Sequence, residues 1–258
     1  MAFSRPPPPP PLVGPRWIVE HLSASGLRVT WPDGAALSFD PPRATPGPLV
    51  VTWSENERVA GVKAGAPGPV AAHATLLDWL DRHGVPLTPG IPTPLGPFLI
   101  TAHAYRPIPW ATPTEAVRKT LSGLGSPALA LTRLRHTLRR PKDPPLVIVA
   151  EHAGRRFVHL GQALHRFLPE PDAVRLTTLA ADAHLVVAGT DYDDEADVGR
   201  LLHRCGSGPL VVADLVGQVR RRLGLPTRPL SATVDAAPPG TRGLDVGGTL
   251  ELLTGRSV

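Results

Sequence analysis

The sequence predicts an α/β protein, α+β overall, in which a β-rich N-terminal half precedes a Rossmann-like parallel sheet in the C-terminal half. Short strand-like stretches separated by turn signals occur throughout residues 17–110. From residue 143 onward, continuously apolar runs alternate with segments of helical periodicity, which is the pattern of strands joined by crossover helices. Pro and Gly number 33 and 25 among 258 residues, so we expect long loops between the elements.

The order of these patterns divides the chain into four regions. Residues 1–16 include six consecutive prolines and predict an extended, disordered tail. Residues 17–110 predict the β-rich region with one helix, and residues 111–142 a basic helical connector. Residues 143–258 predict the Rossmann-like domain, which ends in an irregular tail.

The β-rich region carries a hairpin signal and two further strand signals. In GLRVTWPDGAALSFD, apolar residues alternate with polar ones on both sides of an Asp33–Gly34 turn. The stretches GPLVVTWS and GPFLITAHAY are the other strand candidates. The stretch AAHATLLDWLDRHG predicts a helix that Gly84 ends.

The C-terminal half supplies the strongest strand signals. PPLVIVAEHA, HLVVAGT and GPLVVADL each contain a continuous apolar run, as expected of buried parallel strands, and AVRLTTLA predicts a weaker one. Between the first two, apolar residues at helical spacing predict a helix: Phe157, Leu160, Leu164 and Phe167. The same spacing predicts a helix through Val198, Leu201, Leu202 and Cys205, and GTLELLTG predicts a last edge strand.

Composition restricts the class of protein. The net charge is +5, carried almost wholly by arginine, so binding of nucleic acid is permitted and not demanded. One cysteine, Cys205, excludes a disulfide within the chain, and its place on an apolar face predicts a buried thiol. The N-terminus lacks the apolar region of a secretory signal, and no stretch reaches the length of a membrane span. We therefore expect a cytoplasmic protein of bacterial type.

Carboxylates follow two of the predicted strands. Glu151 ends the strand LVIVAE, and Asp191 and Asp193 come directly after HLVVAGT. If these strands are neighbours, three carboxylates converge beyond their carboxyl ends and provide the oxygen ligands that Mg²⁺ takes. The alternative is that the acids cap a helix and meet the positive end of its dipole, which requires no metal.

This arrangement of Glu151, Asp191 and Asp193 resembles the Toprim domain of primases, topoisomerases and small ribonucleases. The resemblance implies Mg²⁺-dependent work on phosphodiester bonds. The same stretch is similar to nucleotide-binding Rossmann-like domains of the sirtuin and thiamine-enzyme type, with Gly189 and Thr190 in the turn that faces the ligand.

Several arginines are candidates for contact with an anion. Arg155 and Arg156 lie near Glu151 and could steady a ligand or phosphate. Basic faces are predicted at two further places: Arg133, Arg135, Arg139 and Arg140, and Arg220, Arg221 and Arg222. These arginines could neutralise phosphates, although they also fit solvated helix faces in an arginine-rich chain.

No complete catalytic set is recognisable, so the sequence predicts a non-catalytic protein that binds a partner protein or a small anionic ligand. No cofactor is assured. One alternative is an enzyme in which Mg²⁺ on Glu151, Asp191 and Asp193 acts on a phosphodiester or nucleotide. A second alternative is a nucleotide-binding regulator that uses Gly189 and Thr190.

Overall fold

A computed structural model describes the chain in ten stretches, and the statements below concern these residues: 14–23, 26–41, 45–52, 68–79, 83–105, 143–161, 169–189, 202–205, 209–213 and 230–254. They form two seven-stranded sheets and three helices. No helix in these stretches is long and apolar enough to cross a membrane.

The first sheet has the strand order β14-β1-β2-β3-β4-β5-β6. Its strands are β1 (Arg16–Ser23), β2 (Gly26–Thr30), β3 (Ala36–Phe39), β4 (Leu49–Val50), β5 (Val70–Ala72), β6 (Val85–Pro86) and β14 (Thr249–Leu253). Strands β3 to β6 run parallel, whereas β14, β1, β2 and β3 pair antiparallel. The last strand of the chain therefore completes the sheet that the first strands begin.

The second sheet has the order β13-β12-β11-β10-β9-β8-β7. Its strands are β7 (Thr93–Leu95), β8 (Phe98–Ala104), β9 (Leu146–His152), β10 (Arg155–Gly161), β11 (Leu185–Gly189), β12 (Leu210–Ala213) and β13 (Arg242–Leu244). Strands β10 to β13 run parallel, whereas β7, β8, β9 and β10 pair antiparallel. Both sheets are thus mixed.

Three helices lie outside the sheets: α1 (Ala74–Trp79), α2 (Glu170–Ala180) and α3 (Leu230–Ala236). Helix α1 packs Leu76 and Leu77 on the outer face of the first sheet. Helices α2 and α3 contribute to the cluster on the outer face of the second sheet. The layers run helix, sheet, sheet, helix.

The main core fills the space between the two sheets. It joins buried residues from both halves of the chain, including Trp17, Trp31 and Phe39 from the first sheet and its turn and Phe98 and Phe157 from the second. The sequence left open whether the two halves share a core, and this cluster shows that they do. Alternate residues of a strand face opposite sides of its sheet, so each central strand also needs cover on its outer face, which the helices supply.

The predicted Rossmann-like parallel half is wrong. Strand β9 does not lead into a crossover helix but turns back through Ala153 and Gly154 to form an antiparallel hairpin with β10. Only β10 to β13 show the expected parallel order among the described strands of this sheet. The result is one half of a two-sheet sandwich rather than a separate domain with helices on both faces of its sheet.

Two elements are exchanged relative to the prediction. The predicted helix through Phe157 and Leu160 is β10 at these positions, whereas the predicted strand AVRLTTLA lies inside α2. Strand β10 is buried on both faces, with Phe157 in the inter-sheet core and Leu160 in the outer cluster. A strand that is apolar on both sides has no period of two, so its apolar residues can imitate helical spacing.

Other predictions are confirmed. The Asp33–Gly34 hairpin joins β2 to β3, and Gly34 adopts the positive φ of 91° that the turn requires. PPLVIVAEHA, HLVVAGT and GPLVVADL contain β9, β11 and β12, and GTLELLTG contains the edge strand β14. The predicted connector 111–142 and residues 1–13 of the predicted tail 1–16 lie outside the described residues, whereas Arg16 at the end of that tail already belongs to β1.

We expect Phe157→Ala to destabilise the protein by about 3–5 kcal/mol, because it opens a cavity between the two sheets where the side chain is fully buried. Urea denaturation followed by circular dichroism measures the change. Val174→Ala, at a half-exposed position on α2, is the control and should cost far less. A small effect at Phe157 would contradict the assignment of a shared inter-sheet core.

Candidate functional site

The carboxyl ends of the parallel strands in both sheets meet at one edge of the sandwich, here called the carboxyl-end edge. Thr52 lies two residues after the end of β4 in the first sheet, and its carbonyl accepts a hydrogen bond of 2.9 Å from the backbone N–H of Leu146 at the start of β9. Because β9 is antiparallel to β10, the ends of β10, β11 and β12 lie at this same edge. Ligands of sheets with parallel strands commonly bind beyond such ends.

Asp40 is a buried carboxylate at this edge. It follows β3 directly and has a positive φ of 41°. Its Oδ1 accepts a hydrogen bond of 2.9 Å from the backbone N–H of Thr52, and its other oxygen accepts one from the hydroxyl of Thr52. The carboxylate thus ties the end of β3 to the end of β4.

A second group of polar residues joins the first sheet to the start of β9. The ring of His73, which follows β5, is hydrogen-bonded through Nε2 to the carbonyl oxygen of Pro144 at 3.0 Å. The hydroxyl of Thr75 donates to the carboxylate of Asp143. Sequence reasoning missed these residues, although polar residues that come directly after a buried strand are a usable signal.

The described side chains at the carboxyl-end edge do not fit a metal ion by themselves. Within the ten described stretches, no three His, Cys, Asp or Glu side chains form a group that could hold one. Asp40, His73 and Asp143 each have a hydrogen-bond partner within the protein. The sequence has no closely spaced histidine pair either, since its nearest two, His159 and His165, are six positions apart.

The structure places Glu151 away from the carboxyl-end edge. Strand β9 runs antiparallel to β10, so its last residues lie at the opposite edge, where Glu151 is half-exposed and 3.6 Å from the guanidinium of Arg156. Glu151 is therefore not brought to the edge at which β11 ends. Asp191 and Asp193 lie outside the described residues, and their role as metal ligands stays a prediction.

The remaining predicted site residues are distributed as follows. Gly189 is the buried last residue of β11, and Thr190 lies outside the described residues. Arg155 and Arg156 both lie in β10. The basic faces lie outside the described residues: Arg133, Arg135, Arg139, Arg140, Arg220, Arg221 and Arg222. The predicted burial of Cys205 is confirmed, and burial raises the pKa of its thiol to about 12.

His159 is a buried imidazole between the sheets. It lies in β10, with its ring 4.9 Å from that of Phe39. Burial lowers its pKa to about 4, and a hydrogen bond to the backbone of Val187 acts in the opposite direction. Its Nδ1 is buried and has no hydrogen-bond partner among the described residues. His159 is therefore neutral at pH 7.

Two mixed sheets packed face to face, with helices on both outer faces, define the class: the chain has the metallo-beta-lactamase fold. The similar structures include the metallo-beta-lactamase fold protein YhfI from Bacillus subtilis, with a TM-score of 0.58 and 11% sequence identity. That match covers 93% of this chain and 100% of YhfI. No protein-family model matches the sequence, and neither does any curated protein.

Two further structures share the fold. One is a protein from Parabacteroides distasonis assigned as a metal-dependent hydrolase, with a TM-score of 0.52, 11% identity, and coverage of 90% of this chain and 93% of that one. The other is CmlA, a diiron beta-hydroxylase from Streptomyces venezuelae, with a TM-score of 0.53 and 8% identity. The latter match covers 94% of this chain and 55% of CmlA.

These comparisons correct the predictions about function and cofactor. A non-catalytic binding protein was predicted, but the similar structures include a protein assigned as a metal-dependent hydrolase and a hydroxylase. The Toprim-like and nucleotide-binding alternatives both required a Rossmann-like domain. The observed fold, two mixed sheets packed face to face, is of a different type. The expectation that no cofactor is assured is overturned as well, since both of these neighbours are metal proteins.

We expect the pH dependence of stability to contain a contribution from His159. Its pKa is about 4 in the folded protein and near 6.5 in the unfolded chain. Between these values the unfolded chain binds a proton that the folded protein does not, so stability falls as the pH falls from about 6.5 to 4. The full loss is about 3 kcal/mol.

Urea denaturation at a series of pH values tests this expectation. His159→Phe removes the titrating group, so its free energy of unfolding should fall less steeply below pH 6.5 than that of wild type. His203→Phe, at an exposed position, is the control and should keep the wild-type slope. Equal slopes in wild type and His159→Phe would show that His159 is not held neutral by burial.

Proposed function

We propose that this chain is a metal-dependent hydrolase that acts at the carboxyl-end edge of its two sheets. The observation that carries the proposal is the fold, which extends over 93% of the chain in the match to YhfI and 90% in the match to the assigned metal-dependent hydrolase. The described residues support the location, because strands from both sheets end together at this edge. A substrate there would contact loops from both sheets.

The proposal draws its metal ligands from residues that follow the strands in the sequence, since the described side chains do not form a metal site. The sequence offers carboxylates there: Glu55 and Glu57 after β4, Asp191 and Asp193 after β11, and Asp214 after β12. No histidine occurs within ten residues after any of these three strands. These three strands would therefore contribute oxygen ligands, whereas His73 after β5 and His165 after β10 are the histidines in the sequence that could add nitrogen ligands, a mixture that zinc, iron and manganese accept.

Asp40 and its partners would have a supporting role in such a site. Asp40 holds the ends of β3 and β4 together through two hydrogen bonds to Thr52. The Thr52–Leu146 hydrogen bond then fixes these ends against the second sheet. A site assembled from loops of two sheets needs such connections, because catalytic groups lose efficiency when they are displaced by about 1 Å.

The test combines metal analysis with an assay of hydrolysis. We expect purified protein to contain zinc, iron or manganese by inductively coupled plasma mass spectrometry, and to hydrolyse at least one member of a panel of ester, amide and phosphodiester substrates. Asp191→Asn and Asp193→Asn should each lower metal content and activity at least about tenfold, as expected for residues that bind a metal. Asp182→Asn, at an exposed position, is the control and should change neither.

Two results would contradict parts of this proposal. Protein that binds none of the three metals and hydrolyses no substrate in the panel would reject the hydrolase. Metal-dependent hydrolysis that survives both substitutions would keep the hydrolase and reject Asp191 and Asp193 as ligands.

A further inference from the structure

A pocket opens at the edge of the sandwich opposite the carboxyl-end edge, here called the turn edge. Its volume is about 230 Å³, and its lining combines apolar and charged residues: Pro15, Trp31, Pro32, Asp33, Ala153 and Arg155. The β2–β3 turn and the β9–β10 turn form it, and both precede strands that end at the carboxyl-end edge. The pocket is therefore separate from the proposed hydrolytic site.

The apolar wall of the pocket is rigid. Trp31 is buried, and its ring lies 5.0 Å from that of Trp17, 4.7 Å from that of Phe98 and 5.7 Å from that of Phe157. Pro15 and Pro32 add two side chains of little conformational freedom. A ligand that packs here pays little entropy for ordering of the wall.

Asp33 also lines the pocket, and each of its carboxylate oxygens has a hydrogen-bond partner within the protein. Its Oδ2 lies 2.6 Å from Nε2 of His152, and its Oδ1 accepts a hydrogen bond of 3.2 Å from the backbone N–H of Ala35. The other ring nitrogen of His152 lies 2.9 Å from the carbonyl oxygen of Pro97.

Arg155 supplies the positive charge of the pocket. It pairs in register with His152 across the hairpin, which places both side chains on the inner face of the sheet together with Phe157. Arg156 lies on the other face, where it contacts Glu151 and the carbonyl oxygen of Leu179 in α2. Among the described residues no carboxylate pairs with Arg155.

The hairpin tip beside Arg155 is held in an unusual backbone conformation. Ala153 has a positive φ of 49°, and Gly154 one of 72°. A left-handed conformation at alanine costs of order 1 kcal/mol and is common at functional sites. It fixes the tight two-residue turn that places Ala153 and Arg155 on the same pocket wall.

We infer that the pocket at the turn edge binds a small organic anion, namely a carboxylate carried on a flat apolar group. The guanidinium of Arg155 presents a planar set of donors that matches a carboxylate, and the apolar body packs against the two prolines and Ala153, while the buried Trp31 supports this wall from within the core. The volume suits a molecule of a single ring, since sites for drug-sized ligands span about 300–1,000 Å³. This inference does not rest on the proposed hydrolase.

The test uses three probes that separate charge from apolar contact: benzoate, benzamide and acetate. Titration of the full-length ¹⁵N-labelled protein, followed by NMR, should show saturable shifts at Trp31, Ala153 and Arg155 with benzoate. Benzamide lacks the negative charge and acetate lacks the ring, so each should bind at least about tenfold more weakly than benzoate. Added salt should weaken benzoate binding.

Arg155→Gln and Arg156→Gln form a matched pair on opposite faces of one strand. Arg155→Gln should weaken benzoate binding at least about tenfold, whereas Arg156→Gln should leave it unchanged. Arg155→Lys keeps the charge but loses the planar fork, and should give an intermediate affinity. The NMR spectrum of each variant also shows whether the protein is folded, so loss of structure can be excluded as the cause of weaker benzoate binding.

Two outcomes would overturn the inference. The first is equal binding of benzoate and benzamide, or an absence of saturable shifts with benzoate in the wild-type protein. The second is benzoate binding that survives Arg155→Gln. Either result leaves the proposed hydrolase untouched, because that site lies at the other edge of the sandwich.

Discussion

The contact between the inner faces of the two sheets is the interaction on which the rest of the molecule depends. Trp31 lies at its centre, with ring contacts to Trp17 on one side and to Phe98 and Phe157 on the other. Burial of a large apolar side chain contributes about 1.5–3 kcal/mol, so this cluster supplies a substantial part of the stability. It also requires strands from both ends of the chain, because β14 completes the sheet that β1 begins.

That packing fixes the directions of the strands and thereby separates two edges with different chemistry. At the carboxyl-end edge, hydrogen bonds from Leu146 to Thr52 and from Thr52 to Asp40 join strand ends of both sheets. At the turn edge, His152 connects Asp33 in one sheet to Pro97 in the other. The first edge is suited to a site built from several loops, whereas the second forms a small pocket with rigid walls.

Local sequence patterns predicted the strands whose signals depend only on residues close together in the chain. The hairpin around Asp33 and Gly34 needs only a turn that tolerates positive φ and alternation on either side. The apolar runs of β9, β11 and β12 identify buried strands, since they are short, rich in β-branched residues and flanked by Pro or Gly. Phe157 and Leu160 misled the prediction because both faces of β10 are covered, and such a strand loses its period of two.

The candidate sites depended still more on tertiary structure. Glu151 and Asp191 both follow apolar strands, but the antiparallel direction of β9 sends Glu151 to the edge opposite the end of β11. Arg155 was predicted as an anion contact from its position near Glu151, whereas its pocket exists only because the hairpin tip meets the turn that contains Asp33. Neither the direction of a strand in its sheet nor the contact between two distant turns can be inferred from the local sequence.

By itself, the sequence determined the positions of most of the described strands, the burial of Cys205 and the scarcity of closely spaced nitrogen and sulfur ligands. These properties follow from residue type and from neighbours along the chain. Only the tertiary structure decided the pairing of β9 with β10, the shared core and the two edges. The physical reason is that a strand can satisfy its hydrogen bonds equally well in either direction, and packing of the two sheets selects between them.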